Sequence, residues 1–442
     1  MAITVSTPNN VESNNGNSLA VFKESTTNKF YVKDINGQIQ DIASGLGLTV
    51  IFEIGTGANS TQRIGSGTSS GDGSTISGGV GNDASGLSST ISGGSNNATS
   101  LSGSTISGGS GNTSSGNYST IGGGTIQNAS GLNSTIGGGT TNIASNPNST
   151  VSGGSSNTAS GYVYGKSTVG GGNSNTASAD NSTVSGGQNN TASGEYSTTV
   201  GGGQNNTAST NYATVSGGTT NIASNLNSTV GGGTTNTASG SDSTVSGGNN
   251  NEASGSYSTI SGGGYNTSSA GNSTVSGGYG NGGSGGFATV SGGGYNTASG
   301  VYSVVGGGFE NSASNTDCTV GGGSTNTSSG ADGTVGGGLE NVASGQFSAV
   351  CGGTKNQATA LQSTICGGEN NVASAVESSI LGGSQNSTST FQNSHILGSN
   401  ITSDRIDCAF VENLSIKSIP TAAVGLPSGS LWSNAGVINI VP

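Results

Sequence analysis

Residues 243–257 read STVSGGNNNEASGSY, and this stretch decides the fold because the chain repeats it in variant form over most of its length. Val245 is its one strongly apolar residue and Ala253 its one small apolar residue, among Gly, Ser, Thr and Asn. Alone, such a stretch is typical of a disordered linker. The β-branched residues that recur in every copy favour strands instead, so the stretch has to be interpreted together with its neighbours.

The copies recur at a fixed interval. With the Val or Ile of each copy as position 0, 22 such positions run from Ile76 to Ile396, 15 residues apart. Three residues are inserted after Val151, and one residue is inserted before Val200 and before Ile396. Fifteen residues are too few for a helical-hairpin repeat but suit one coil of a parallel β-solenoid, with two short strands and two turns. The sequence therefore predicts an all-β rod of about 22 coils, roughly 100 Å long.

The pattern inside a coil predicts which side chains point inward. Strand side chains alternate between faces, so Val or Ile at 0, Asn at +6 and Ala at +8 form the inward set. Stacking turns each position into a ladder, and we expect the Asn amides to hydrogen-bond to one another along it. Gly at +2 and +3 permits a tight turn. The predicted ladder residues of the central coils are Val245, Ile260, Val275, Val290, Asn251, Asn266, Asn281, Asn296, Ala253 and Ala298.

Such a coil has a thin core. Burying one Val and one Ala stabilises a coil by less than the ordering of its 15 backbone residues costs. Hydrogen bonds along the ladders offset part of that cost. We therefore expect lateral association, most simply a homotrimer of parallel rods that pack through small Ser, Gly and Ala faces.

Composition excludes several classes of function. The chain is 28% hydrophobic and 6% charged, with a formal net charge of −12, and it carries no basic patch for nucleic acid. No apolar run approaches the length of a membrane span. The start, MAITVSTPNN, lacks the basic and apolar regions of a secretory signal, so no signal peptide is expected. Four Cys in 442 residues do not make a disulfide framework.

Catalytic and metal-binding patterns are not recognisable either. His395 is the single His of the chain, so no Ser–His–Asp triad can form elsewhere. The repeat lacks the G-G-x-G-x-D signature that supplies carboxylates to calcium in other solenoids. We expect a protein that is not an enzyme and that uses no cofactor and no metal.

The repeat resembles a known family. The segment STVSGGNNNEASGSYSTISGG, residues 243–263, is similar to the head repeats of YadA-like trimeric adhesins, with a small-hydrophobic strand, glycines and an A-S-G turn. The resemblance extends over residues 74–399. It implies a left-handed parallel β-roll wound into homotrimers.

The two ends of the chain are not repetitive. The segment KFYVKDINGQIQDI, residues 29–42, alternates apolar and polar residues around Asn36 and Gly37 and predicts a β-hairpin. The tail, 410–442, predicts a second hairpin about 433–436, and its GLPSGSLW…GVINIV is similar to the C-terminal caps of phage and large-virus fibre proteins. We therefore divide the chain into a β-rich docking or cap module at 1–60, a β-roll shaft at 61–399 and a C-terminal cap or trimerisation module at 400–442.

Aromatic residues at variable turn positions are the best candidates for recognition, because rings on a rod can stack on sugars. Packing within the turns is the alternative interpretation. The candidates for contact with a receptor or a glycan are Tyr162, Tyr164, Tyr265, Tyr279, Phe287, Tyr295, Tyr302 and Phe309.

Two cysteines occupy +1 in successive coils. Stacking places the Cα atoms of Cys351 and Cys366 about 5 Å apart, within the range of a disulfide. The next +1 residues are Leu381 and Leu397. We favour a buried seam, lying against the axis of a trimer, over a disulfide bridge.

These features predict a homotrimeric fibre on the surface of a virus particle, or otherwise extracellular, that mediates attachment to a host. Its expected partners are copies of itself, the virion or another fibre component at a terminal module, and a host-surface glycan or protein. An ice-binding solenoid is the first alternative, because Thr stands at −1 in 18 of the 22 coils. A self-assembling extracellular sheath or filament is the second.

Overall fold

The structure is a computed structural model of the whole chain. It describes residues 20–23, 30–33, 39–41, 52–54, 56–57, 59–63, 67–162, 165–196, 199–415, 419–434 and 437–441. The chain divides into two compact units, Met1–Asn227 and Ser228–Pro442. Every regular element among the described residues is a β-strand, as the sequence predicts.

The first unit begins with a small antiparallel sheet of the strands Ala20–Lys23, Phe30–Lys33 and Ile39–Asp41. Lys33 pairs with Ile39, which confirms the hairpin predicted around Asn36 and Gly37, although the connection itself lies outside the described residues. Phe52–Ile54 then pairs antiparallel with Thr61–Arg63. Thr61–Arg63 in turn pairs parallel with Thr75–Ile76, and the solenoid starts at this point.

Each coil contributes one strand to a parallel ladder, which we call the valine ladder. The strand has two residues, at positions −1 and 0, in all turns but the last two, where it has three. In the first unit its strands are Thr75–Ile76, Thr90–Ile91, Thr105–Ile106, Thr120–Ile121, Thr135–Ile136, Thr150–Val151, Thr168–Val169, Thr183–Val184, Thr199–Val200 and Thr214–Val215. In the second unit they are Thr229–Val230, Thr244–Val245, Thr259–Ile260, Thr274–Val275, Thr289–Val290, Val304–Val305, Thr319–Val320, Thr334–Val335, Ala349–Val350, Thr364–Ile365, Ser379–Ile380, His395–Leu397 and Ala409–Val411.

A second strand at +7 and +8 forms the alanine ladder. In the first unit it consists of Gly67–Ser69, Asn82–Ala84, Ala98–Thr99, Thr113–Ser114, Asn128–Ala129, Ile143–Ala144, Thr158–Ala159, Thr176–Ala177, Thr191–Ala192, Thr207–Ala208 and Ile222–Ala223. In the second unit it consists of Thr237–Ala238, Glu252–Ala253, Thr267–Ser268, Gly282–Gly283, Thr297–Ala298, Ser312–Ala313, Thr327–Ser328, Val342–Ala343, Gln357–Ala358 and Val372–Ala373. The predicted parallel solenoid with a 15-residue period is confirmed, with about 23 turns.

Position +4 adds a third ladder that the sequence analysis missed. Gly264 pairs with Tyr279 and Tyr279 with Gly294 through single parallel bridges, and the same contact recurs along both units. A coil therefore has three hydrogen-bonded sides where we expected two strands and two turns. The bridges use backbone atoms alone, so the side chain at +4 is free to vary and leaves no pattern in the sequence.

The core is as thin as predicted, but a further column lines it. Val245 at 0 and Ala253 at +8 have no exposed surface, and Asn251 at +6 is 1% exposed. Ser243 at −2 is buried with them, because −2 and 0 lie on the same side of a strand. Its hydroxyl donates to the Gly240 carbonyl at 2.7 Å. The same burial holds for the other predicted ladder residues: Ile260, Val275, Val290, Asn266, Asn281, Asn296 and Ala298.

The Asn ladder works differently from the expected amide-to-amide stack. Asn251 Oδ1 accepts the backbone N–H of Asn266 in the next coil at 3.0 Å. Its Nδ2 donates to the carbonyls of Gly247 and Gly263, each at 2.9 Å. An amide-to-amide bond, from Asn251 Nδ2 to Asn236 Oδ1 at 3.1 Å, is an addition to these. The side chain thus pairs the Asn266 N–H and the Gly247 carbonyl at the corner, as a buried backbone requires, and adds a second bond to the Gly263 carbonyl, which also accepts the Asn249 N–H.

The second unit ends in an antiparallel hairpin of Leu431–Asn434 and Val437–Ile440. Leu431 pairs with Ile440 and Asn434 with Val437. The hairpin predicted about residues 433–436 is therefore confirmed, and it places Trp432 on a strand.

Candidate functional site

Four aromatic residues form a continuous row on one corner of the second unit. Tyr265, Tyr279, Tyr295 and Phe309 come from four successive coils, at positions +5, +4, +5 and +4, and we call them the aromatic column. Successive ring centroids lie 5.2, 5.5 and 5.7 Å apart. The rings are tilted or edge-to-face, with interplanar angles of 54°, 75° and 86°. These are favourable geometries for aromatic pairs.

Glycines make room for the column. Gly264, Gly280 and Gly294 occupy whichever of +4 and +5 the aromatic residue does not. A Cβ atom on Gly280 would lie 2.8 Å from Tyr295 Cδ1, and one on Gly294 would lie 3.2 Å from Phe309 Cδ2. The last three rings of the column therefore each lie over a glycine of the preceding coil. The alternation fixes the position of the rings relative to the backbone.

The column is both packed and accessible. Its side chains are between 46% (Phe309) and 54% (Tyr265) exposed. Partial desolvation raises the pKa of Tyr279, and the neighbouring hydroxyls of Tyr295 and Tyr265 raise it further, so the phenol is neutral and can both donate and accept a hydrogen bond. Each ring thus packs against its neighbours and keeps about half of its surface exposed.

The other aromatic candidates lie elsewhere. Phe287 and Tyr302, at −3, stack with centroids 5.0 Å apart and an interplanar angle of 17°, on a different corner of the coil. Tyr162 lies in the first unit, is exposed, and its carbonyl accepts a hydrogen bond from Asn146 Nδ2. Tyr164 lies outside the described residues. Within the second unit, the six described candidates therefore fall into the column and a separate stacked pair.

The corner with the aromatic column and the corner with Phe287 and Tyr302 share an unusual backbone conformation. Residues at −3 and +5 adopt positive φ in nearly every coil, including Tyr265 at 57°, Tyr295 at 53°, Phe287 at 59° and Tyr302 at 57°. Such angles are uncommon for bulky residues. From the sequence alone, −3 and +5 are variable turn positions. Their side chains vary because they point outward, while their backbone is the fixed part of the turn.

The single chain shows where the two cysteines of the +1 row lie. Cys351 and Cys366 are free thiols and both are exposed, so they are neither bridged nor buried within the coil. The reason is strand alternation: with Val350 and Ile365 inward, +1 faces out. Leu381 and Leu397 continue this row and are 53% and 49% exposed. Partial burial and the adjacent Cys351 thiol raise the pKa of Cys366.

His395 lies on the outer face at the end of the valine ladder. Its Nδ1 is 2.7 Å from Ser379 Oγ, and its Nε2 is 3.0 Å from Asn393 Oδ1. Within the described ranges, no three or more His, Cys, Asp and Glu side chains are grouped so that they could hold a metal ion. Among those same residues no helix has the length and apolar character to cross a membrane.

Comparison with known proteins adds a sequence match to this geometry. The family model described as the ubiquitous surface protein adhesin repeat matches residues 243–255, the stretch with Val245, Asn251 and Ala253. Comparison with curated proteins gave no match. By its sequence at 243–255 and by the stacking of its coils, the 15-residue unit fits a YadA-like head repeat.

Proposed function

We propose that this protein is a non-enzymatic, adhesive fibre that acts at an extracellular or particle surface. The observation that carries the proposal is the adhesin-type repeat at 243–255, which occurs as one of many stacked coils. Repeats of this kind build long surfaces of identical spacing and are typical of adhesive or structural proteins. The variable outward positions of the coils supply the surface that a partner contacts.

The fibre is a homotrimer in this proposal. The support is the outward row at +1, which changes from Ser or Gly to Cys351, Cys366, Leu381 and Leu397 over the last four coils. These side chains are exposed in the single chain. Neighbouring apolar side chains in one row are typical of an interface. Packing against two further copies covers them and adds the apolar burial that each coil lacks.

We further propose that the fibre belongs to a virus particle and attaches it to a host. The support is the tail, which is similar to viral fibre caps and forms the hairpin Leu431–Asn434 and Val437–Ile440. A terminal module then binds the virion or another fibre component, while the coils face the host surface.

Antibody fragments against the purified protein test this function. Immunogold electron microscopy is expected to label the outside of particles from the source of the chain, and the fragments are expected to reduce attachment of those particles to host cells. Fragments against an unrelated particle protein serve as the control. Label that is confined to the interior of cells, or attachment unchanged at saturating fragment, contradicts the proposal.

Ice binding is a second candidate that one observation favours. The Thr residues at −1 lie in register along the valine ladder, as with Thr229, Thr244, Thr259 and Thr274, and most are half-exposed. A regular row of hydroxyl and methyl groups is suited to ordered water. Thermal hysteresis of the purified protein tests it, and an unchanged freezing point removes it.

A further inference from the structure

Four coils of the second unit carry a row of exposed rings that the fold does not need. The inward residues Val230, Asn236 and Ala238 are fully buried in a coil that has the small residues Thr234 and Thr235 at +4 and +5. The rings of Tyr265, Tyr279, Tyr295 and Phe309 therefore add a surface to the rod and are dispensable for its coils.

We propose that the aromatic column binds a neutral, extended oligosaccharide of β-linked sugar rings. The proposal rests on the adhesive function above, because it names the class of ligand that one face of the fibre recognises. Sugar rings present apolar C–H faces that stack on exposed aromatic rings, and aromatic residues are rigid anchors with a polar end.

The repeat of the column fits a linear ligand. Rings at like positions, Tyr265 with Tyr295 and Tyr279 with Phe309, lie two coils apart, which is about 10 Å along the axis. This distance is close to two sugar units of an extended β-linked chain, whose alternate rings present the same face. Successive rings are tilted by 54° to 86° to one another, so neighbouring rings do not present parallel faces.

Polar groups beside the rings match the hydroxyls of a sugar. Thr267 and Thr297 are two residues beyond Tyr265 and Tyr295 and are exposed, while the intervening Asn266 and Asn296 are buried. Thr267 and Thr297 begin the alanine-ladder strand that follows the corner with the rings, and their side chains are on the outer face of that strand. The phenol groups of the tyrosines add donors and acceptors.

The charge of this region selects a neutral ligand. The sequence has no Lys or Arg between Lys166 and Lys355, so no cation within these coils can pair with a sulfate or a carboxylate. Glu310 follows Phe309 directly, and the chain has a formal net charge of −12. An acidic glycan meets repulsion at this face without a compensating ion pair.

Calorimetric titration of the full chain with cellohexaose and with chitohexaose tests the inference. We expect at least one of them to bind, and the double variant Tyr279→Ala, Tyr295→Ala to weaken that binding about tenfold or more, which corresponds to about 1.4 kcal/mol. Tyr257→Ala is the matched control, since Tyr257 is exposed but lies at −3, outside the column. It is expected to leave the affinity unchanged. Circular dichroism confirms that each variant keeps its fold.

Hyaluronan tests the charge argument, because it is β-linked but carries a carboxylate on alternate sugars. Its affinity is expected to be at least about tenfold weaker than that of the better neutral chain. The inference is overturned if neither neutral hexasaccharide binds, if the double variant binds as tightly as the unchanged protein, or if hyaluronan binds equally well. Particle attachment blocked by antibody fragments, together with any of these results, leaves the adhesive function standing and removes the column as its glycan site.

Discussion

The residue type that a position in this chain tolerates depends on the atoms of the next coil that lie against it. Gly247 and Gly248 stand side by side at +2 and +3, yet their surroundings differ. A Cβ on Gly248, where φ is +97°, would lie 2.1 Å from the Gly263 carbonyl oxygen of the next coil. A Cβ on Gly247 would come no nearer than 4.0 Å, to the Gly232 oxygen. The two glycines look alike in sequence but have different roles.

Gly248→Ala is therefore expected to destabilise its coil by about 3 kcal/mol, from strain at positive φ and overlap with the next backbone. Gly247→Ala, the matched control, is expected to change stability by less than about 0.5 kcal/mol. Hydrogen exchange measured by mass spectrometry over residues 243–263 reports both. Equal protection in the two variants contradicts the account of this corner.

Gln127 shows how a longer side chain fits in the Asn ladder, because it replaces Asn at position +6 of its coil. Its Oε1 still accepts the N–H of Asn142 at 2.9 Å. Its Nε2, however, has no hydrogen-bond partner although the residue is buried. Asn142 Nδ2, one coil on, donates to Gly138 and Gly154 at 3.0 and 2.9 Å. The longer side chain therefore keeps the acceptor and misplaces the donor.

We expect Gln127→Asn to stabilise the protein by about 1 kcal/mol. The reason is that the side-chain amide N–H at position 127, which has no acceptor in the unchanged protein, gains one in the variant. The reverse change at the next coil, Asn142→Gln, is the control and is expected to destabilise by a similar amount. Thermal unfolding followed by circular dichroism, with hydrogen exchange across residues 121–142, measures the two effects. A lower midpoint for Gln127→Asn contradicts the proposed role of the Asn ladder.

At the scale of elements, the features that can be predicted from the sequence are those whose residues recur with a fixed period. Val or Ile at 0 and Ala at +8 recur regularly, so the valine and alanine ladders and their 15-residue period are predictable. The +4 ladder is not, because its bridges use backbone atoms and residues as different as Gly264 and Tyr279 take part. The aromatic column can be predicted only from the knowledge that positions +4 and +5 of successive coils lie next to each other. Its signal, the alternation of Gly with Tyr at these positions, is nevertheless present in the sequence.

Because each coil contacts its neighbours in sequence, whole coils are expected to be dispensable. Removing residues 321–335 joins Val320 directly to Gly336 and keeps every ladder in register. Removing residues 321–328 instead takes out one alanine-ladder strand, Thr327–Ser328, and leaves half a coil. Circular dichroism and thermal unfolding are expected to show a folded protein for the first deletion and lost structure for the second. A first deletion that unfolds the protein would contradict independent stacking of coils.

At the scale of the whole molecule, the row at +1 decides how copies of the chain associate in the proposed trimer. The predicted seam lies against the axis of a trimer, and +1 faces away from the coil in the single chain. Leu381 and Leu397 are consequently exposed in one chain, which makes them available to another. Their place at the end of the solenoid, next to the C-terminal module, concentrates apolar contact where a trimer would be held together.

Leu381→Asp is expected to weaken trimer formation about tenfold or more, since it places a charge in the proposed apolar contact. Leu339→Asp is the control, because Leu339 is exposed at +4, on a different side of the coil. Sedimentation velocity across a range of concentrations compares the two. The same response in both variants would place the interface on another face.

The most direct test of a trimeric adhesive fibre is the native mass of the purified chain. Sedimentation equilibrium is independent of shape, so an elongated particle does not distort the result. The account predicts a single species of three times the 42.0 kDa chain mass. A single species at 42.0 kDa over the whole concentration range would contradict it.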